Sequence, residues 1–198
     1  MPPLSPEEQA ALFRKNYNES EASKTFNALI YGGIGTGKTR CLQTCRKPVL
    51  VDSFDPGGTK TLKDFIDAGS ILVDNSFEVE NAKQPTAYAA WEKHFDALRA
   101  SGFFNRVGTY CLDSLTTWAE SMLNEILKRA GRPGGVPQQM DWMVQMNTIR
   151  DAIKLCTTLP CDFIATAHVD HDKDEYTGKI IGGVMVTGKL KQKLPLLF

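Results

Sequence analysis

Gly32-Gly33-Ile34-Gly35-Thr36-Gly37-Lys38-Thr39 is the stretch that decides the fold. It matches G-x-x-x-x-G-K-[ST], a loop that wraps the phosphates of a nucleoside triphosphate. The glycines let the backbone turn tightly and approach an anion without Cβ clashes. The loop N–H groups and the start of the next helix then face the phosphates. Lys38 is expected to bond the β- and γ-phosphates, and the Thr39 hydroxyl to bind Mg²⁺. The flanks fit this reading. Ala28-Leu29-Ile30-Tyr31 reads as a buried strand, and Thr39-Arg40-Cys41-Leu42-Gln43-Thr44 as a helix start.

Outward from the loop, strand and helix patterns alternate. Strands are expected at residues 25–31, 48–52, 71–73, 107–112 and 161–166, and helices at 59–68, 86–100, 115–129 and 141–157. Buried apolar strands separated by helices imply an α/β fold, a mainly parallel sheet with helices on both faces. Ser5-Pro6-Glu7-Glu8 is a helix start, with a cap, an early proline and acids at the positive dipole end. That helix is expected to reach about Lys15, with residues 16–24 as a polar linker, so residues 1–24 precede a core of 25–198. Gly131-Arg132-Pro133-Gly134-Gly135-Val136-Pro137 reads as a loop, and the segment around Thr177-Gly178 and Gly182-Gly183 as hairpins. The chain ends on an apolar run, Leu194-Pro195-Leu196-Leu197-Phe198, which leads us to expect that it continues further.

At 198 residues, one domain with a sizeable core is expected. Lys plus Arg and Asp plus Glu each number 23, so the balance is not that of a strongly basic nucleic-acid protein, though a local basic groove remains compatible with it. The five cysteines are odd in number and lack zinc-ribbon spacing, which favours free thiols in a reducing compartment. No basic leader or membrane-length apolar run is visible, so a cytoplasmic location without membrane attachment is expected.

A nucleotide-bound metal needs a second holder. Thr109-Tyr110-Cys111-Leu112-Asp113-Ser114 supplies one, because a hydrophobic strand there delivers a carboxylate to its C-terminal end, where ligands of such sheets bind. The alternative is that Asp113 merely caps the helix starting near Leu115, a role that Ser114 can also take. Hydrolysis further needs a group that orients water. No Glu follows Asp113. Asp52 and Asp55, in Val51-Asp52-Ser53-Phe54-Asp55-Pro56-Gly57-Gly58, both lie past a strand end, hence on the nucleotide side; Asp55 is favoured, against a plain turn. His168, following the strand that ends at Thr166, is placed to sense the γ-phosphate. His171, between Asp170 and Asp172, reads as part of a solvated acidic hairpin rather than a metal site.

The order of these pieces resembles the RecA core. Val51-Asp52-Ser53-Phe54-Asp55-Pro56-Gly57-Gly58-Thr59-Lys60, with Leu112-Asp113-Ser114-Leu115 and Thr166-Ala167-His168, narrows the likeness to a phage-encoded group of minimal RecA-core P-loop ATPases associated with single-strand annealing and recombination. The resemblance covers residues 25–198. It implies ATP and Mg²⁺ as cofactors, bound through Gly32, Gly33, Ile34, Gly35, Thr36, Gly37, Lys38 and Thr39, with Thr39 and Asp113 at the metal. Lys38, Asp55, Asp113 and His168 become the catalytic set, His168 standing where RecA-like proteins place a glutamine that couples nucleotide state to DNA. The RecA catalytic glutamate has no counterpart here, which implies slow hydrolysis or the use of Asp55.

The likeness also implies single-stranded DNA as a partner, held by two loops. Lys128, Arg129 and Arg132 belong to the first, Lys173 and Lys179 to the second, with Trp142 and Tyr176 as available stacking aromatics. It implies a homo-oligomer, ring or filament, with the nucleotide between protomers. Lys189, Lys191 and Lys193 then either reach a neighbour's γ-phosphate or guard a strand edge. Single-strand-binding or replication proteins are further expected partners, in a host cytoplasm. The competing expectation is a phage replication or packaging loader ATPase acting mainly on proteins, favoured by the zero net charge. A small-molecule kinase is weaker, since only Arg129 and Arg132 lie near a candidate lid.

Overall fold

Five strands rich in β-branched, aromatic and other apolar residues assemble one sheet. They are β1 (Asn27–Gly32), β2 (Val49–Ser53), β3 (Ile71–Asp74), β4 (Thr109–Asp113) and β5 (Asp162–Lys173). Their order is β1-β5-β4-β2-β3, and every neighbouring pair is parallel. A sixth strand, β6 (Ile180–Val184), pairs antiparallel with the outer part of β5, starting at Val169 opposite Val184. The computed structural model describes residues 5–19, 24–173, 180–186 and 190–198.

Side-chain alternation explains why both sheet faces are buried. Leu50, Phe54, Tyr110, Leu112, Phe163 and Ala165 share one core with α4 (Ala87–Ala100), α5 (Leu115–Arg129) and α6 (Gln139–Cys156). Trp91 and Trp118 meet there edge-on, ring centroids 5.1 Å apart. Val49, Val51, Cys111 and Ile164 face the other way, into a smaller core with Leu42 and Leu62. Among the described residues, α2 (Lys38–Cys41), α3 (Lys63–Asp67) and the 3-10 turns Leu42–Thr44 and Gly58–Leu62 cover that face. The expected α/β sheet with helices on both faces is present, with unequal layers. Gly108, just before β4, allows a close crossing, because a Cβ there would stand 2.5 Å from the Arg46 carbonyl oxygen.

Three segments differ from the sequence expectation. The helix after the phosphate loop is a single α-turn and a 3-10 turn before the chain enters β2. Pro48 explains the stop, since it has no N–H to donate and keeps Lys47 out of the helical region. The N-terminal helix α1 (Pro6–Glu19) runs past 15 into the expected linker. Its start is as expected: Ser5 N donates to Glu8 Oε2 at 2.8 Å and Glu8 N to Ser5 Oγ at 3.3 Å. Finally, among the described residues of the expected hairpin segment, β5 and β6 pair antiparallel, while residues 174–179, Thr177 and Gly178 among them, lie outside the described residues. The end of the chain is helical, as α7 (Leu190–Lys193) and a 3-10 turn, Leu194–Leu197. Leu190 and Leu194 are buried, and Phe198 stacks on Phe163 at 5.5 Å, so most of the apolar run packs on the core, while Leu196 stays exposed. Lys191 and Lys193 lie on α7, which removes the strand-edge reading for them; Lys189 lies outside the described residues. No described helix is long and apolar enough to cross a membrane.

Candidate functional site

Parallel strands bring the ends of β1, β5, β4 and β2 to one rim, where open α/β sheets bind ligands. β5 lies between β1 and β4, with His168 level with Gly32, while Ser53 is level with Asp113 on the other side. The residues singled out around the phosphate loop are therefore gathered at one place. They line a cleft of about 320 Å³ that includes Ile34, Gly35, Gly37, Lys38, Thr39, Asp55 and His168.

The phosphate loop is shaped for an anion. Gly35 and Gly37 have φ of 75° and 89°, which favours glycine, and nothing lies within 4 Å of where a Cβ would project. Thr36 Oγ1 donates to the Gly33 carbonyl at 2.9 Å and pins the turn. Lys38 Nζ donates to the carbonyls of Gly32 at 3.0 Å and Gly33 at 2.9 Å, so its charge is held at the mouth of the loop by neutral acceptors.

Asp113 is buried at the end of β4 and accepts from the Thr39 hydroxyl at 2.9 Å and from the Thr166 hydroxyl. Burial pushes its carboxyl above the ordinary range, the two hydroxyl bonds oppose that, Asp55 adds to the rise and Lys38 subtracts from it. A hydroxyl and a carboxylate converging beside the phosphate loop are the hard oxygen donors that Mg²⁺ takes, so these residues fit a magnesium triphosphate. The helix-cap alternative for Asp113 fails, because Ser114 Oγ accepts from Thr117 N and caps α5.

The two candidate aspartates after β2 part ways. Asp55 accepts from Ser114 Oγ at 2.9 Å and from the Thr117 hydroxyl, while its Oδ2 lies 3.1 Å from His168 Nε2. Asp52 does not face the cleft as expected. It is fully buried on the α4 side, accepting from Tyr110 OH at 2.8 Å and Trp91 Nε1 at 3.1 Å. Burial, opposed chiefly by the Tyr110 bond, pushes its carboxyl up to about 7. Its Oδ1 and His94 Nε2 stand 3.7 Å apart, each without a hydrogen-bond partner among the described residues.

Residues 24–195 match the AAA domain when the chain is compared with known protein families. The chain belongs to the AAA domain family. It is thus a P-loop ATPase domain, a class that binds nucleotide, usually with Mg²⁺. None of the curated proteins matches it.

Several residues of this AAA domain's site had no individual signal in the sequence. Thr166 and Thr117 are short hydroxyls whose roles depend on strand phase and helix turn. Glu78 sits in a loop, yet accepts from Ser53 Oγ at 2.7 Å and from Gly57 N at 2.9 Å, and so staples the segment carrying Asp55. Glu120 borders an adjoining cleft of about 260 Å³ with Gly33 and His168. Burial raises its carboxyl, Asp55 adds to this, and His168 opposes it.

The candidate DNA contacts are not part of this cluster. Arg132 Nη2 bonds both carboxylate oxygens of Asp141 at 2.8 Å. Arg129 bonds Glu125 at 2.9 Å and Glu92 at 3.1 Å, and Lys128 bonds the Pro85 carbonyl at 2.8 Å. These cations brace α4, α5 and the start of α6. They stand one length of α5 from Ser114, about 22 Å for its 15 residues. The side chain of Lys173, and Lys179 altogether, lie outside the described residues. Lys191 Nζ lies 3.7 Å from Asp170 Oδ2, at the base of the hairpin rather than at the phosphate loop of its own chain.

Proposed function

We propose that this AAA domain hydrolyses ATP with Mg²⁺ to control its grip on single-stranded DNA, as a phage-encoded homo-oligomer acting in annealing or recombination. The observation that carries this reading is the course of β5. One strand holds Thr166 against Asp113, presents His168 to Asp55 in the cleft, and then runs on into the hairpin with β6. A change at the γ-phosphate therefore has a route along one strand to the β5–β6 pair. The resemblance of the Asp-Pro-Gly-Gly loop and the Asp113-Ser114 strand end to the phage RecA-core group supports the same reading.

A second reading, a loader ATPase whose main partner is protein, is favoured by one observation. Lys128, Arg129 and Arg132 are already paired or bonded within the fold, which leaves little uncompensated charge on the first candidate loop. A salt titration of binding to a fluorescent oligonucleotide, with and without MgATP, separates the two. The DNA reading expects affinity that rises with MgATP and falls steeply with salt. Weak binding indifferent to nucleotide favours the protein-partner reading.

A further inference from the structure

We propose that His168 is the group that orients the attacking water and accepts its proton, and that Asp55 is the positioning residue of His168 rather than the base itself. The assignment rests on the ATPase reading above. It begins with where the Asp55 oxygens point. Oδ1 is taken by the Ser114 and Thr117 hydroxyls and Oδ2 by the imidazole, so the carboxylate is turned onto its own network. A carboxylate on Nε2 selects the tautomer that carries its proton there. The lone pair of Nδ1 is then free to accept, and no bond to Nδ1 is made by any described residue. The two roles, an imidazole that takes the proton and a carboxylate that orients it, are those of a general acid–base pair.

Position supports the chemistry. His168 is level with Gly32, whose carbonyl holds Lys38 Nζ, so the ring stands at the β/γ end of the loop. Its backbone N–H donates to Thr116 Oγ1 at 3.0 Å, which fixes the strand beneath the ring. The half-buried imidazole borders both the nucleotide cleft and the adjoining one, so it stands between the candidate triphosphate site and a second opening. The charged groups around it are Asp55 from the loop after β2, Glu120 from α5 and Lys38 from the loop after β1.

The step balances. The water oxygen attacks the γ-phosphorus, and the bond from that phosphorus to the bridging oxygen breaks, its electron pair leaving with ADP. The water proton passes to Nδ1 and is later released to solvent, which returns the ring to neutrality.

The test is single-turnover hydrolysis of MgATP by the full chain, with nucleotide affinity measured separately by calorimetry. His168→Ala is expected to bind MgATP within about threefold of wild type and to lose about 100-fold in rate. Added imidazole is expected to restore part of that rate. Asp55→Asn would offer an N–H to Nε2 and move the ring proton to Nδ1, so its rate is expected to fall by at least about tenfold without imidazole rescue. An Ala variant at wild-type rate, or one that binds nucleotide but gains nothing from imidazole, overturns the assignment. If the Ala variant loses nucleotide, His168→Gln carries the test, and a rate within about twofold of wild type overturns it. Wild-type protein that binds MgATP without turnover overturns this assignment while leaving the nucleotide site standing. Wild-type protein that binds no nucleotide removes the ATPase reading itself.

Discussion

Two places in this molecule concentrate charged side chains, and they use them in opposite ways. At the rim of β1, β5 and β4, Lys38 is held by backbone carbonyls and Asp113 by hydroxyls, and among the described residues no ion pair joins Lys38 to a carboxylate. At the far end of α5, Arg129 and Arg132 are each closed onto carboxylates of the same chain. An incoming phosphate meets a cation without a direct ion pair at the rim but must displace an internal partner at the far end. The first arrangement is that of a ligand site and the second that of a brace between helices.

The largest effect that breaks or upholds this contrast is at Lys38. Lys38→Ala is expected to weaken MgATP by at least about 100-fold in a fluorescent-nucleotide binding assay, at an unchanged unfolding temperature, because its bonds are to its own loop. If affinity survives, the rim is not a phosphate site. Asp113→Asn comes next. It keeps the shape and one acceptor but removes the charge that would hold Mg²⁺, so turnover is expected to drop by about 100-fold while nucleotide binding falls much less. Equal losses in binding and turnover would show that Asp113 serves the fold around Thr39 and Thr166 and not the metal.

The far end sharpens the contrast through stability. Arg129→Ala combined with Arg132→Ala is expected to lower the unfolding midpoint by about 2–4 °C. The salt dependence of oligonucleotide affinity should stay nearly the same. A salt slope reduced by about two, with little thermal effect, would instead make these residues phosphate contacts.

The smallest expected effect lies on the other face of β2. The Asp52 carboxyl is raised to about 7 by burial, whereas in the unfolded chain it returns to the ordinary range. Between about pH 4 and pH 7 the folded state therefore binds more protons than the unfolded one, and stability falls as pH rises through that window. Asp52→Asn keeps an acceptor for Tyr110 and Trp91 but cannot ionise. It is expected to flatten this part of the stability–pH curve, measured by chemical denaturation at several pH values. An unchanged slope would assign it to other groups, Asp113 among them.

The legibility of this chain in its sequence followed a physical divide. The phosphate loop, the strand ending at Asp113 and the bounds of α5 were readable because glycine spacing, apolar runs and helical periodicity are local. The split between Asp52 and Asp55 was not. Both β2 faces are buried, so no polar–apolar alternation marked which neighbour turns toward α4 and which lies beyond the strand at the cleft. The pairing of Arg132 with Asp141, nine residues on, and of Arg129 with Glu92, across α4, depends on tertiary geometry that a count of basic residues does not contain. The same limit applied to Thr166 and Thr117, whose hydroxyls matter only because the sheet and α5 bring them to Asp113 and Asp55. The apolar C-terminal run looked unpartnered because its partner, Phe163, is distant in sequence.

The most direct test of the account is a calorimetric titration of the purified chain with ATP, run once with Mg²⁺ and once with the metal chelated. A saturable site that weakens when Mg²⁺ is removed is the expected result if Lys38 takes the phosphates and Thr39 and Asp113 the metal. Well-folded protein that takes up no ATP under either condition would contradict it.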